Sequence, residues 1–277
     1  MVGFNHCLQN QHTVSELSSL AFTNDCPLIC RMRTVVGNKQ MKYDLDKLRS
    51  KVTALAATKT VRKDSEGYYQ PFTDDNGSGS AVLRFLPPLD DEEFPFVQLY
   101  NHAFEVTSTK WFIDLCPTTL KQPCPVCESN SALWNGPDKN RASLRKRKMY
   151  YISNVLVVRD PKQPENEGNV FLYKYGSKIM GKLMDAITPP FPGAEPIDPF
   201  DEEEGANFRL RIVSNGGFPN YDKSSFDPPS PIGGADIVES VLNQRRSLVA
   251  IIDPSQFKTY DELKRKFDQI LGAATAA

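Results

Sequence analysis

A mainly β chain with peripheral helices, an α+β arrangement, is what this sequence predicts, and three observations predict it. Short apolar runs bounded by proline, glycine and aspartate recur between residues 81 and 213, the pattern of strands separated by turns. Helical 3–4 spacing is confined to a few stretches, chiefly 41–56 and the segment after Thr259. Between them, residues 102–127 gather His102, Cys116, Cys124 and Cys127, a set suited to one tetrahedral metal ion. A small metal-bearing subdomain, about residues 100–140, is therefore expected to tie strand ends and a loop together.

Those four residues leave little choice of reading. The turn Cys124-Pro125-Val126-Cys127 presents two thiolates to one metal, and His102 and Cys116 complete a tetrahedron. A disulfide between Cys124 and Cys127 would leave Cys116 unpaired. A redox Cys-x-x-Cys usually opens a helix in a βαβ setting, and no such setting is visible. Pro123-Cys124-Pro125-Val126-Cys127 also fits half of the zinc deaminase signature, whose other half is His-x-Glu. Here the histidine reads His102-Ala103-Phe104-Glu105, one residue too long, and Cys116 would fill the position a catalytic zinc keeps for water. The expectation is one structural Zn²⁺ and no catalytic residue.

Composition narrows the classes. At 277 residues the chain holds one large domain or two small ones. No apolar run reaches the roughly 18 residues of a membrane span, and the start lacks a secretory pattern. Thiols at metal-ligand spacing suit a reducing, cytoplasmic setting. The net charge of −1 hides an uneven distribution. Acids sit in the blocks Asp90–Glu93 and Asp201–Glu204, and six cations fall among the ten residues Lys139–Lys148.

In chain order, residues 1–40 have few charges and no sustained period, and are expected to be a poorly ordered extension. Cys26, Cys30, His6 and Cys7 make a poor metal clamp, because a proline interrupts Cys-x-x-x-Cys. From Met41 to residue 63 a basic helical arm is expected, with Met41, Leu45, Leu48, Val52 and Leu55 on one face and Lys47, Arg49 and Lys51 on the other. It is either an ordinary amphipathic helix or an arm that docks on a partner or neighbouring subunit. Residues 64–80 read as a polar linker opening the core, 64–277. Strands are expected at Ala81–Pro87, Phe94–Tyr100, Lys110–Leu115, Tyr151–Val158, Asn169–Tyr175 and Phe208–Val213. A short helix is expected at Ile179–Ile187. Gly216–Tyr221 reads as a turn carrying two rings. Thr259 and Glu262 form a capping box for a last helix running to about Leu271.

The basic run, Arg145 included, lacks interleaved acids and leads into Tyr150 and Tyr151. Phe171, Tyr173 and Tyr175 alternate in the next strand. Cations beside rings are the two halves of a groove for single-stranded nucleic acid, charges for phosphates and rings for bases. Read without function, the rings are sheet core and the charges a solvated face.

Several stretches together carry a resemblance. They are Ala81–Pro87, Asn101-His102, the Cys-Pro-Val-Cys turn, Leu144 with Lys146-Arg147-Lys148, Val155–Pro161, Pro164–Gly168, Glu204–Phe208, and Gly217-Phe218 with Asn220-Tyr221-Asp222. From about Met41 onward the chain resembles the single-stranded DNA-binding (helix-destabilising) proteins of T-even-type bacteriophages. The resemblance implies an OB-fold core with a zinc subdomain that coats single-stranded DNA cooperatively in replication, recombination and repair. It implies zinc on His102, Cys116, Cys124 and Cys127. It implies a DNA cleft on Arg84, Trp134, Lys146, Arg147, Lys148, Tyr151, Tyr173, Tyr175, Phe218 and Tyr221. An arm near Lys47, Arg49, Ser50 and Lys51 would contact the neighbouring protomer on DNA. Implied partners are single-stranded DNA, neighbouring protomers and phage replication and recombination proteins, with no membrane, in the cytoplasm of an infected bacterium. The sequence departs from the pattern in a shorter Cys116–Cys124 loop without tyrosine, in Ala142 and Ile152 where the family has rings, in a weak arm motif, and in lacking the expected acidic tail after Ala277.

Overall fold

The computed structural model describes residues 67–108 and 110–275, all within one compact unit, Thr53–Ala277. The expected extension 1–40 and the arm 41–63, with Lys47, Arg49, Ser50 and Lys51, lie outside the described residues.

Eight strands form a single antiparallel system: β1 (Gly79–Phe85), β2 (Val97–Thr107), β3 (Lys110–Leu115), β4 (Lys148–Arg159), β5 (Val170–Tyr175), β6 (Phe208–Asn215), β7 (Phe218–Asn220) and β8 (Ser225–Phe226). The path runs β3-β2-β4-β1-β6-β7, with β5 on β4 and β8 on β6. β4 organises it. Its first half pairs with β2, Lys148 opposite Asn101 through Ile152 opposite Val97. Its second half pairs with β1, Val155 opposite Phe85 through Arg159 opposite Val82, across a bulge at Val82/Leu83. Along its other edge it pairs with β5 from Tyr151 to Leu156. One strand changing partners along its length, with a bulge to increase local twist, curls the sheet into a half-barrel.

Among the described residues five α-helices decorate it: α1 (Pro125–Asn135), α2 (Lys139–Leu144), α3 (Ser177–Ile187), α4 (Ala235–Leu242) and α5 (Tyr260–Thr275). The expected mainly β fold with peripheral helices is what forms. β3 and the last helix fall where the sequence placed them, and α1, α2 and α4 are additions.

Two apolar cores matter for the site. The barrel core holds Leu83, Phe85, Val155, Val157, Tyr173, Tyr175, Ile179, Leu183, Phe208 and Leu210, with Phe85 edge-on to Tyr175, Phe200 and Phe208. The second core lies under the metal-ligand cluster. Phe104 and Phe112 stack across β2 and β3 with centroids 5.3 Å apart, and Leu263 and Phe267 of α5 close over them. The Thr259/Glu262 capping box forms as expected, Thr259 N–H donating to Glu262 Oε2 at 3.0 Å. Asp114 anchors the helix to β3 by accepting from Lys258 and Lys266 at 2.7 and 2.6 Å. Tyr260 donates to Glu128 of α1 at 2.6 Å.

Candidate metal centre and nucleic-acid face

His102 lies inside β2 opposite Asp114, Cys116 directly follows β3, Cys124 caps α1 and Cys127 sits in its first turn. Pro125 at the first helical position needs no N–H partner and is set for the helix, so the Cys-Pro-Val-Cys turn is also a helix start. All four ligand atoms lie within 4.8 Å of one another. His102 Nε2 is 3.3 Å from Cys124 Sγ and 3.7 Å from Cys127 Sγ, and Cys116 Sγ is 3.5 Å from Cys127 Sγ. Zinc–ligand bond lengths in a tetrahedron give edges of about 3.8 Å between sulfurs and about 3.6 Å between sulfur and nitrogen. The cluster fits a zinc-sized ion, and three thiols with one imidazole are a donor set zinc favours.

Charge in the cluster is shared unequally. Contacts with Cys124 and Cys127 hold the Cys116 thiol far below its ordinary range, while the same contact with Cys116 pushes the Cys124 thiol up. Burial works against a charged His102, but its contacts with Cys116 and Cys127 push its pKa up to about 9. His102 Nδ1, on the far side of the ring, has no hydrogen-bond partner.

Glu105 stands three residues from His102 in the same strand, which puts the two side chains on opposite faces. His102 is buried and Glu105 exposed. The His-x-x-Glu spacing that disfavoured a deaminase in the sequence therefore has a geometric counterpart.

The short 3-10 turn Pro117–Leu120 leads away from Cys116 and joins the cluster to the face of the sheet. Thr119 Oγ1 accepts from Tyr100 N–H at 3.0 Å. Arg147 Nη1 donates to Thr118 Oγ1 at 2.9 Å and lies 3.9 Å from Cys127 Sγ. The Arg147 guanidinium also stacks 4.4 Å from the Tyr100 ring centroid. Burial opposes its charge, but the Cys127 and Cys116 sulfurs raise its pKa.

From Arg147 a strip of half-exposed side chains crosses β2 and β4. Tyr100 opposes Met149 and Gln98 opposes Tyr151, with Gln98 Nε2 3.4 Å from Tyr151 Oη. Phe96 meets Tyr151 edge-on at 5.9 Å, and exposed Phe94 meets Phe96 at 6.4 Å. Behind Tyr151 the ladder continues into the core, through Tyr175 (stacked, 5.9 Å) to Tyr173 (stacked, 5.7 Å). Lys146, Arg147 and Lys148 are exposed along its border.

Of the expected cleft residues, Lys146, Arg147, Lys148 and Tyr151 lie along this strip, and four others are buried. Arg84 is fully buried; its Nη2 donates to Asp201 O at 2.7 Å, and its Nε and Nη1 have no partner. Burial pulls its pKa down, against the pull of Asp201. Arg145 is 6% exposed and lays its guanidinium over Phe104 and Phe267. Tyr173 and Tyr175 are each 3% exposed, and burial pushes both phenols up. Tyr173 and Tyr175 line the barrel core, Arg145 packs on the second core and Arg84 is enclosed beside Asp201, so none of the four presents a surface to a ligand. Trp134 is exposed at the end of α1. Phe218 is exposed beyond the Gly216-Gly217 turn, whose two positive φ angles make it the tight hairpin type that favours glycine. Tyr221 packs half-buried on the barrel core. Phe94, Phe96 and Tyr100 were missed as part of the strip; the alternation Phe94-Pro95-Phe96 was the available signal, masked by the acidic block Asp90–Glu93 just before it. Among the described residues no helix is long and apolar enough to cross a membrane.

A β half-barrel with a Cys3His cluster at one end, bordering an open strip of rings and cations, is the class of protein that these elements define. The chain belongs to the family described as gp32 DNA binding protein like, which it matches over residues 77–271. It is 38% identical over 235 residues to the single-stranded DNA-binding protein of Enterobacteria phage T4, covering 82% of this chain and 77% of that one. It is equally similar to the protein of the same name from phage T2, over 82% and 78%. A shorter relative of that name from phage RB70 is 33% identical over 109 residues, 38% of this chain and 92% of its own length.

Proposed function

We propose that this chain binds single-stranded DNA without reading its sequence, and that one structural Zn²⁺ on His102, Cys116, Cys124 and Cys127 keeps the binding lobe in shape. The observation that carries the reading is the open strip in which Arg147 stacks on Tyr100 beside Phe96 and Tyr151, bordered by Lys146 and Lys148. Cations release counterions from phosphates, and rings stack on any unpaired base. A duplex hides its base faces, so the stacking contribution favours a single strand and melts a duplex by mass action, while the phosphate contacts add affinity. The named function of the T4 and T2 relatives supports the same reading.

Direct contact falls to Lys146, Arg147, Lys148 and Tyr151, with Trp134, Phe218 and Tyr221 at the flanks. Tyr173 and Tyr175 act from the layer beneath, by backing Tyr151, while Arg84 and Arg145 hold the fold. The zinc supplies cross-linking and part of the folding energy. No residue need do covalent chemistry. Lys47, Arg49, Ser50 and Lys51 of the arm would contact the neighbouring protomer, so that the chain coats DNA cooperatively during phage replication, recombination and repair, in the cytoplasm of the infected host and alongside other phage proteins.

The test is a salt titration of binding to a fluorescent poly-dT strand, with a duplex of equal length alongside. The expected result is strong preference for the single strand. At about 0.7 per phosphate, contacts from Lys146, Arg147 and Lys148 give a log–log slope steeper than about −2. A flat response, or equal binding to duplex, would leave only a zinc-bearing interaction module.

A further inference from the structure

The Pro117–Leu120 turn holds the metal-ligand cluster and the ring strip at once. Thr118 is where the two meet. Its Oγ1 is 3.1 Å from Cys116 Sγ and 2.9 Å from Arg147 Nη1. A guanidinium can only donate, so the threonine oxygen accepts from Arg147. Its one hydroxyl hydrogen is then free to point at the Cys116 sulfur. The hydroxyl thus sits between the sulfur and the guanidinium and presents a lone pair to the arginine. On the next residue, Thr119 Oγ1 fixes the backbone of Tyr100, the ring over which the same guanidinium lies. Both members of the cation–ring pair are therefore gripped by consecutive residues of one turn. The turn is closed at Lys121, the one non-glycine residue with positive φ among those described (59°). Its N–H bonds back to Pro117 and Thr118 carbonyls. A non-glycine residue held in that region marks a turn that its surroundings over-determine.

We propose that Thr118 is a positioning residue for DNA binding: its hydroxyl, lodged between the Cys116 sulfur and the guanidinium, fixes the orientation of Arg147. The role rests on the proposed single-strand function and on Arg147 meeting the backbone. Arg147 has a long side chain with several rotamers, and an exposed arginine pays side-chain entropy each time it is ordered on a ligand. Pre-ordering by Thr118 removes part of that cost before DNA arrives, which is how fixed geometry raises affinity without a new contact.

The decisive variants are Thr118→Val, which keeps the shape and removes the hydroxyl, and Thr118→Ser, which keeps the hydroxyl. Bound zinc is counted with a chromophoric chelator, and the thiolate-to-metal charge-transfer bands are recorded on the Co²⁺-substituted chains. Binding to poly-dT is then titrated with salt, together with Arg147→Ala and the double variant. Thr118→Val should retain one metal per chain and intact charge-transfer bands, yet bind poly-dT about three- to tenfold more weakly. Thr118→Ser should restore most of the loss. The double variant should bind no more weakly than Arg147→Ala, because the hydroxyl acts through the arginine. Wild-type affinity in Thr118→Val, or losses that add in the double variant, would overturn the positioning role while the single-strand function stands. Loss of metal from Thr118→Val would also overturn it, by making the hydroxyl a support of the cluster alone. A wild-type chain with a flat salt response would instead overturn the function, and this role with it.

Discussion

Arg145 and Lys146 adjoin in the sequence, and their side chains go to opposite environments. Arg145 spends its charge on the rings of Phe104 and Phe267, 5.5 and 6.0 Å away, while Lys146 is exposed on the bordering surface. Arg145→Ala should therefore lower stability by about 1–3 kcal/mol, through lost cation–ring contact and stem packing, without altering the salt slope. Lys146→Ala should do the reverse, reducing the slope by about 0.7 with stability unchanged. Urea unfolding and salt titration on the same pair of proteins check both. Cys124→Ser should abolish stoichiometric zinc and lower the melting temperature by roughly 10 °C, read by chelator assay and calorimetry. The ligands were legible in the sequence because their types and spacing are local. The fate of Arg84 was not, because the carbonyl that receives it belongs to Asp201, 117 residues away.

At the scale of elements, alternation revealed the strands because most have one face on a core. β3 shows it plainly, with Phe112 buried between exposed Trp111 and Ile113. α1 was not legible, since Cys-Pro-Val-Cys reads as a turn until Pro125 is recognised as a helix-opening residue. α2 is a six-residue helix hidden in the basic run, with Asp138 accepting from Arg141 N–H at its start. α4 follows a Pro/Gly loop and is too short for a clear period. The element on which the metal lobe most depends is α5. Phe267→Ala should cost about 3–5 kcal/mol and speed zinc transfer to a chelator, because it opens the second core. Thr259→Ala should cost only about 1 kcal/mol, through the lost cap.

At the scale of the whole molecule, β4 joins the barrel to the strand that carries the metal lobe. Its first five residues align β2, which carries His102, and its last five align β1. Removing zinc should loosen one end of the sheet without dissolving the other. Hydrogen exchange after chelation is expected to quicken in β2, β3, α1 and α5, while β1, β5 and β6 keep their protection. Uniform acceleration would mean that the two cores open as one unit. The mainly β architecture was readable from residue patterns. The curl was not, because it arises from a partner change in mid-strand that no local pattern announces.

The roof of the metal lobe is α5, and that has a consequence for the chain while it is being made. Cys127 leaves the ribosome some 130 residues ahead of Tyr260, a delay of roughly 7–26 s at the usual pace of bacterial synthesis. Throughout that interval the three thiols and Phe104, Phe112 and Val126 wait without the helix that covers them. The nascent lobe is then most open to oxidants and to the wrong metal, and an early zinc would be its best protection until the last helix arrives.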